Sequence, residues 1–161
     1  MMVHEYCQYL HTALGWLHIQ AMDQAITAVS FAERYGEERP NELTHGAAGQ
    51  LKEYFEEKRT VFDLPLQLAG TDFQQMVWLE LQRIPYGATI TYQELARRLG
   101  DEKCIRAAAH ALAVNRFLIV IPCHRVVGSN GQLTGYAGGL WRKQKLLELE
   151  GSLALQPELP W

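Results

Sequence analysis

The sequence predicts an α/β protein of the α+β kind, built as a small sheet covered by a helix and then a mainly helical half. Three observations predict it. Strand-like runs dominate the first seventy residues. After Ala69-Gly70 the apolar spacing becomes helical. Two short helices joined by a glycine-containing turn then follow, the arrangement of a helix-turn-helix.

In the first half, Gly15 to Met22 and Ala25 to Phe31 flank the polar break Asp23-Gln24, which reads as a hairpin. Gly46 to Lys58 carries Leu51, Tyr54 and Phe55 on one side among Lys52, Glu53, Glu56 and Glu57, an amphipathic helix. Val61 to Leu68 alternates again and predicts a third strand. The order β-β-α-β gives a sheet with one helix on one face. The two parts are expected to be residues 1–70 and 71–161.

In the second half, Thr71 or Asp72 caps a helix bearing Phe73, Val77, Trp78 and Leu81, ended by Pro85-Tyr86-Gly87. Thr91-Tyr92-Gln93-Glu94 reads as a capping box opening a short helix that stops at Gly100. Asp101 caps the next, with Ile105, Ala108, Ala109 and Leu112 as its inner face and Arg106 in its first turns. Phe117 to Ile121 is uniformly apolar, as a buried strand would be. Val126-Val127, Asn130-Gly131 and Leu133 predict a hairpin. Gly135, Gly138 and Gly139 form a flexible loop around Tyr136, and a last helix runs from about Leu140 to Glu150.

Composition narrows the class. Of 161 residues, 48% are apolar and 20% charged, the profile of a globular domain. No run approaches the roughly 18 apolar residues that span a membrane. Met1 to Leu17 lacks the basic and apolar segments of a secretory leader, so a cytoplasmic location is expected. Cys7, Cys104 and Cys123 are odd in number and show no C-x-x-C pair, so neither a disulfide framework nor a metal site is expected. His4, Cys7 and His11 lack the second cluster that structural zinc requires.

Net charge is −3, yet residues 1–70 hold five basic and ten acidic side chains, whereas 71–161 hold ten and eight. Within 83–125 the balance is seven basic to three acidic. A basic patch of this kind is a footprint of DNA binding, though surface charge is more often plain solvation.

Cys123 is the residue with chemistry to offer. It lies where an apolar run stops at Pro122, next to His124 and Arg125. A thiol reacts as its thiolate, which a neighbouring base promotes. In an extended strand Cys123 and His124 would point to opposite faces, so they converge only if the chain turns sharply after Pro122. On local sequence, a buried structural cysteine remains an equal reading. Glu150 sits in the last helical turn, where the macrodipole favours a cation. A carboxylate there suits orienting a histidine.

Ile121-Pro122-Cys123-His124-Arg125-Val126 reproduces the active-site signature of the O6-alkylguanine-DNA alkyltransferases, and the chain resembles that family over about half its length. Phe73-Gln74-Gln75, Ile84-Pro85-Tyr86-Gly87, Tyr92-Gln93-Glu94-Leu95-Ala96, Gly135-Tyr136-Ala137-Gly138-Gly139 and Glu150-Gly151 extend the match. The resemblance implies an RNase H-like N-terminal sheet and a C-terminal winged helix-turn-helix part bearing the active site. It implies single-turnover transfer of the O6-alkyl group of guanine, and of O4-alkylthymine, from DNA to Cys123, with the nucleotide extruded.

Residue by residue, it makes His124 the base through a bridging water, Glu150 its orienter, Tyr92 the proton donor to the guanine ring and Asn115 the brace of the cysteine turn. Arg106 becomes the finger that fills the duplex, with Ala107, Tyr92 and Arg125 also on DNA. Val126, Tyr136, Ala137 and Gly138 become the base pocket. No cofactor is implied. The partner is double-stranded DNA containing O6-alkylguanine, held through its minor groove by a monomer.

Two positions depart from the family pattern. Many relatives carry glycine at positions matching Ala109 or His110, and some carry serine at that of Ala137. A non-catalytic lesion binder would replace the acceptor cysteine, a cysteine hydrolase would need an oxyanion motif, and a helix-turn-helix regulator remains the third alternative.

Overall fold

The computed structural model describes residues 4–153. The ends of the chain, including the last part of the predicted 71–161 segment, lie outside them. The described residues divide into two compact units. One runs through Leu68 and takes in Arg116–Val120, and the other comprises Ala69–Asn115 and the residues from Ile121 onward.

The first unit is an antiparallel sheet of three strands, β1 (Tyr6–Thr12), β2 (Gly15–Ala21) and β3 (Ile26–Ala32), in the order β1-β2-β3. The predicted hairpin is β2–β3, with Ile19 opposite Val29 and a bulge at Gln20/Ala21. Strand β1 was not expected, because Tyr6–Thr12 is half-buried on both faces and lacks a clean alternation. Helix α1 (Glu42–Phe55) begins four residues before the predicted helix. Asn41 and Thr44 form a reciprocal capping box that starts it. Its buried Ala47, Ala48, Leu51 and Tyr54 meet Leu17 and Ile19 in the core.

Two predicted strands are absent. Residues 61–68 pair with the sheet only through Leu66 beside Ile26. Pro65 contributes a carbonyl to Ile26 but has no N–H to continue a ladder. Residues 117–121 are buried as predicted, yet only Phe117 forms a bridge, to Val29, and the chain then turns. Ile119 takes a φ of 73°, which ends any strand there.

The second unit is mainly helical: α2 (Asp72–Leu81), α3 (Tyr92–Arg98), α4 (Ile105–Ala113) and α5 (Leu140–Leu149). Thr71 caps α2 with Gln74 as its reciprocal partner. Thr91 caps α3, but the Glu94 carboxylate turns to Arg97 and Arg98 rather than back to the cap. Asp101 caps a short 3-10 turn, Glu102–Cys104, that precedes α4. Ala108, Ala111 and Leu112 form the inner face of α4, whereas Ile105 is 37% exposed.

The predicted hairpin after Arg125 does not form. Strand β5 (Val126–Val127) pairs in parallel with β4 (Ile90–Thr91), and Gly128 to Gln132 closes as a tight turn with no returning strand. Among the described residues no helix is long and apolar enough to cross a membrane.

The Trp78 indole N–H donates to the Ala111 carbonyl at 2.9 Å, in the last turn of α4 where a helix lacks internal donors. Trp78→Phe strands that buried carbonyl and is expected to cost about 1–3 kcal/mol in urea unfolding. An unchanged midpoint would show that the bond contributes nothing.

Candidate active site

The site grows from one bend. Pro122 (φ −80°, ψ 64°) leads into a 3-10 turn, Cys123–Arg125, closed by Arg125 N–H donating to the Pro122 carbonyl at 3.0 Å. This is the sharp turn after Pro122 that Cys123 and His124 require to leave the opposite-faced geometry of a strand. Cys123 is 3% exposed. The Asn115 side-chain amide donates both to the Ile121 carbonyl at 3.0 Å and to Cys123 Sγ at 3.2 Å, so one residue braces the bend and touches the sulfur. Burial pushes the thiol up to about 11, opposed by the Asn115 bond and the charge of Lys143.

The next two residues, His124 and Arg125, belong to a buried ionic cluster. His124 Nε2 and Glu150 Oε2 are 2.8 Å apart, both side chains fully buried. Burial would raise the Glu150 carboxyl, but bonds and charges from His124 and Arg125 outweigh it and hold the group at about 2. An ionised carboxylate only accepts, so Nε2 carries the proton and Nδ1 is the free basic nitrogen. Nδ1 is buried and has no hydrogen-bond partner among the described residues. Burial lowers the His124 pKa despite Glu150, which keeps the ring neutral and available as a base.

Arg125 completes the cluster. Its guanidinium donates from Nε and Nη2 to the two oxygens of Glu150, at 2.8 and 3.1 Å, and from Nη1 to the Ile84 carbonyl. The residue is 6% exposed. Arg125, expected to contact DNA, is therefore turned inside, because the buried Glu150 carboxylate needs its charge.

Cys123 lines a pocket of about 580 Å³. One wall is α4, through Ile105 and Ala109, and another is the Thr134–Ala137 loop, with Tyr92 at the start of α3. The expected Tyr136 and Ala137 line it, whereas Val126 is buried in β5 and Gly138 is buried behind the loop, accepting from Arg142. The Tyr92 hydroxyl donates to the Thr134 carbonyl at 3.1 Å. Arg106 and Ala107 lie exposed on α4 beside this wall, as does His110.

Sequence reasoning missed Lys143. Its side chain is fully buried, with Nζ donating to the carbonyls of Thr134 and Gly135 at 3.0 and 3.2 Å. Burial lowers its pKa to about 8, opposed by the Cys123 charge. A lysine one turn into an amphipathic helix usually reads as solvated; the glycine loop just before it was the one available signal. The pocket role of Ile105 was missed likewise, because its spacing fits a core position. Among the described residues no three His, Cys, Asp or Glu side chains gather as a metal set.

One unit thus holds a thiol that lines a pocket and, next to it in sequence, a buried histidine oriented by a carboxylate, the residue types of nucleophile–base–orienter chemistry. Two family models match. The 6-O-methylguanine DNA methyltransferase DNA binding domain covers residues 72–152, and the ribonuclease-like domain of the same protein covers 5–68. The chain belongs to the 6-O-methylguanine DNA methyltransferase family.

Its relatives include the methylated-DNA–protein-cysteine methyltransferase of Mycobacterium tuberculosis strain H37Rv. That protein is 51% identical over 109 residues, 68% of this chain but 66% of the relative, just under two thirds of its length. The Mycolicibacterium paratuberculosis protein of the same name is 42% identical over 85% of this chain and 87% of its own. The crystal structure of the Mycobacterium tuberculosis O6-methylguanine methyltransferase superposes with a TM-score of 0.82 at 41% identity, covering 96% of both chains. A structure from the same organism in complex with DNA gives 0.83 at 40% identity, over 91% of this chain and 92% of that one.

Replacing Glu150 by Gln leaves the Arg125 charge buried without its counter-ion and is expected to cost roughly 3–5 kcal/mol in unfolding free energy. The folded carboxyl titrates below its ordinary value, so its stabilisation is complete above about pH 4.5 and is lost as pH falls toward about 2. Urea unfolding across that range should therefore show a slope in the parent that flattens in Glu150→Gln. Equal slopes would remove Glu150 as the source.

Proposed function

We propose that this protein repairs DNA by transferring the O6-alkyl group of a damaged guanine irreversibly to its own Cys123. The observation that carries the reading is the pocketed Cys123 sulfur, held by Asn115 and next in sequence to the buried His124–Glu150 pair. The relatives named as methyltransferases and the DNA complex of a structural neighbour support it.

The steps balance without a cofactor. The Cys123 proton passes through a water to His124 Nδ1, and the imidazolium formed is held by Glu150. The thiolate attacks the alkyl carbon, a C–S bond forms and the carbon–O6 bond breaks. Guanine keeps that electron pair while Tyr92 donates a proton to its ring. Asn115 and the Lys143 charge favour the thiolate. The thioether has no exit, so each molecule acts once.

A stacked guanine cannot present its O6 substituent to a sulfur at the floor of a pocket, so the nucleotide must be extruded. Exposed Arg106 and Ala107 on α4 are placed to meet the duplex, with Arg106 filling the gap. Backbone-dominated contact in the minor groove carries little sequence information, which suits a scanner of lesions. The same chemistry extends to O4-alkylthymine. The active species is a monomer, and Tyr136 and Ala137 wall the base.

The direct test mixes the protein with a duplex bearing one O6-methylguanine and measures intact and peptide masses. One methyl on the Cys123 peptide, guanine restored and no second turnover are expected. Binding without mass gain would make the protein a lesion sensor instead. Cys123→Ala should bind the duplex and transfer nothing. Arg106→Ala should slow repair in duplex by at least about tenfold, roughly 1.4 kcal/mol, with free O6-benzylguanine reacting as before. Equal losses on both substrates would dismiss the finger role.

A further inference from the structure

The Tyr136 hydroxyl is an orphan donor on a residue that lines the pocket. The ring is partly exposed, yet its oxygen is buried and has no hydrogen-bond partner among the described residues. Among the same residues, His124 Nδ1 is another buried polar atom left unpaired. The two rings meet edge to face, centroids 6.4 Å apart and planes at 84°. Tyr136 and Cys123 both line the pocket. A buried hydroxyl without a partner costs free energy unless one arrives in the working state.

The reaction creates such a partner. When the Cys123 proton leaves for His124, an anionic sulfur appears in a pocket whose burial disfavours charge. Asn115 supplies one N–H to it, and Lys143 acts by charge while its ammonium is bonded to Thr134 and Gly135.

We propose that the Tyr136 hydroxyl is a further donor to the Cys123 thiolate, making Tyr136 part of nucleophile activation as well as a wall for the base. The tyrosine keeps its proton throughout and gives only a hydrogen bond, which fades as the neutral thioether forms. Burial and the nearby Cys123 and Glu150 charges keep its own pKa well above the ordinary value, so it remains a donor at neutral pH. The other titratable and charged groups around this pair are His124 and Arg125 on the turn, Glu150 at the end of α5, Arg142 and Lys143 on α5, and Tyr92 on α3.

This inference rests on Cys123 being the nucleophile. Its test is Tyr136→Phe, which keeps the ring and removes only the donor, assayed with free O6-benzylguanine across pH and by thiolate absorbance against Cys123→Ala. The rate at neutral pH should fall about tenfold or more. The thiol midpoint should rise by about one unit, with the rate gap closing as pH rises.

A slower rate with an unshifted midpoint and a parallel pH profile would overturn the proposal and leave Tyr136 a wall alone. Transfer that is absent in the parent protein would instead overturn the functional reading itself.

Discussion

The Glu150 carboxylate is the fixed point of the second unit. Three donors from two neighbouring side chains converge on its two oxygens in a dry interior, where charge is costly unless paired. Arg125 carries the tie onward to the Ile84 carbonyl, and the Tyr86 hydroxyl reaches the Leu149 carbonyl. The end of α5, the turn bearing Cys123 and the loop after α2 are thereby held together by polar contacts. The same carboxylate fixes the His124 tautomer. Stability and chemistry thus share one group. A helix end that disfavours an acid carries one because the buried Arg125 cation and the His124 N–H face it.

The thiol itself is held in its unreactive form. Pushed up to about 11 by burial, it forms little thiolate at neutral pH, which protects the sulfur from stray electrophiles and oxidants. Any activation falls to the groups already in place around the sulfur. In the proposed reaction neutral His124 would take the proton, and the Asn115 amide and Lys143 charge would receive the anion. A preorganised, low-dielectric site makes each of these worth more than it would be in water.

Much of this was legible in the sequence where local chemistry decides. Thr71, Thr91 and Asp101 all cap as their residue types require, and the apolar spacing of Val77, Trp78 and Leu81 is the buried face of α2. The signature from Ile121 to Val126 singled out a thiol that lines the pocket, next in sequence to the buried His124. What failed was decided by distant partners. Residues 117–121 are as apolar as a core strand because they are core, but their hydrogen bonds go to Val29 for one bridge only. Val126-Val127 finds β4 rather than its own turn as partner. Arg125 is placed on DNA by the family resemblance alone. Only the fold brings Glu150, 25 residues away, within 2.8 Å of it.

The segment between Asn115 and Ile121 shows why the bend at Cys123 can be so sharp. Arg116–Val120 belong to the first unit, where Val29 donates to the Arg116 carbonyl at 2.7 Å and accepts from Leu118 N–H at 2.9 Å. The chain must then reverse, and Ile119 does so at a φ of 73°, a conformation that costs a β-branched residue about 1–3 kcal/mol. On either side of this excursion, Asn115 and Ile121 are rejoined by the Asn115 amide bond to the Ile121 carbonyl, and the other proton of that amide reaches the sulfur. The position of Cys123 is therefore set from both ends of a strained loop. A change at Asn115 would release the loop and the thiol together, which makes this residue a structural brace that also touches the sulfur.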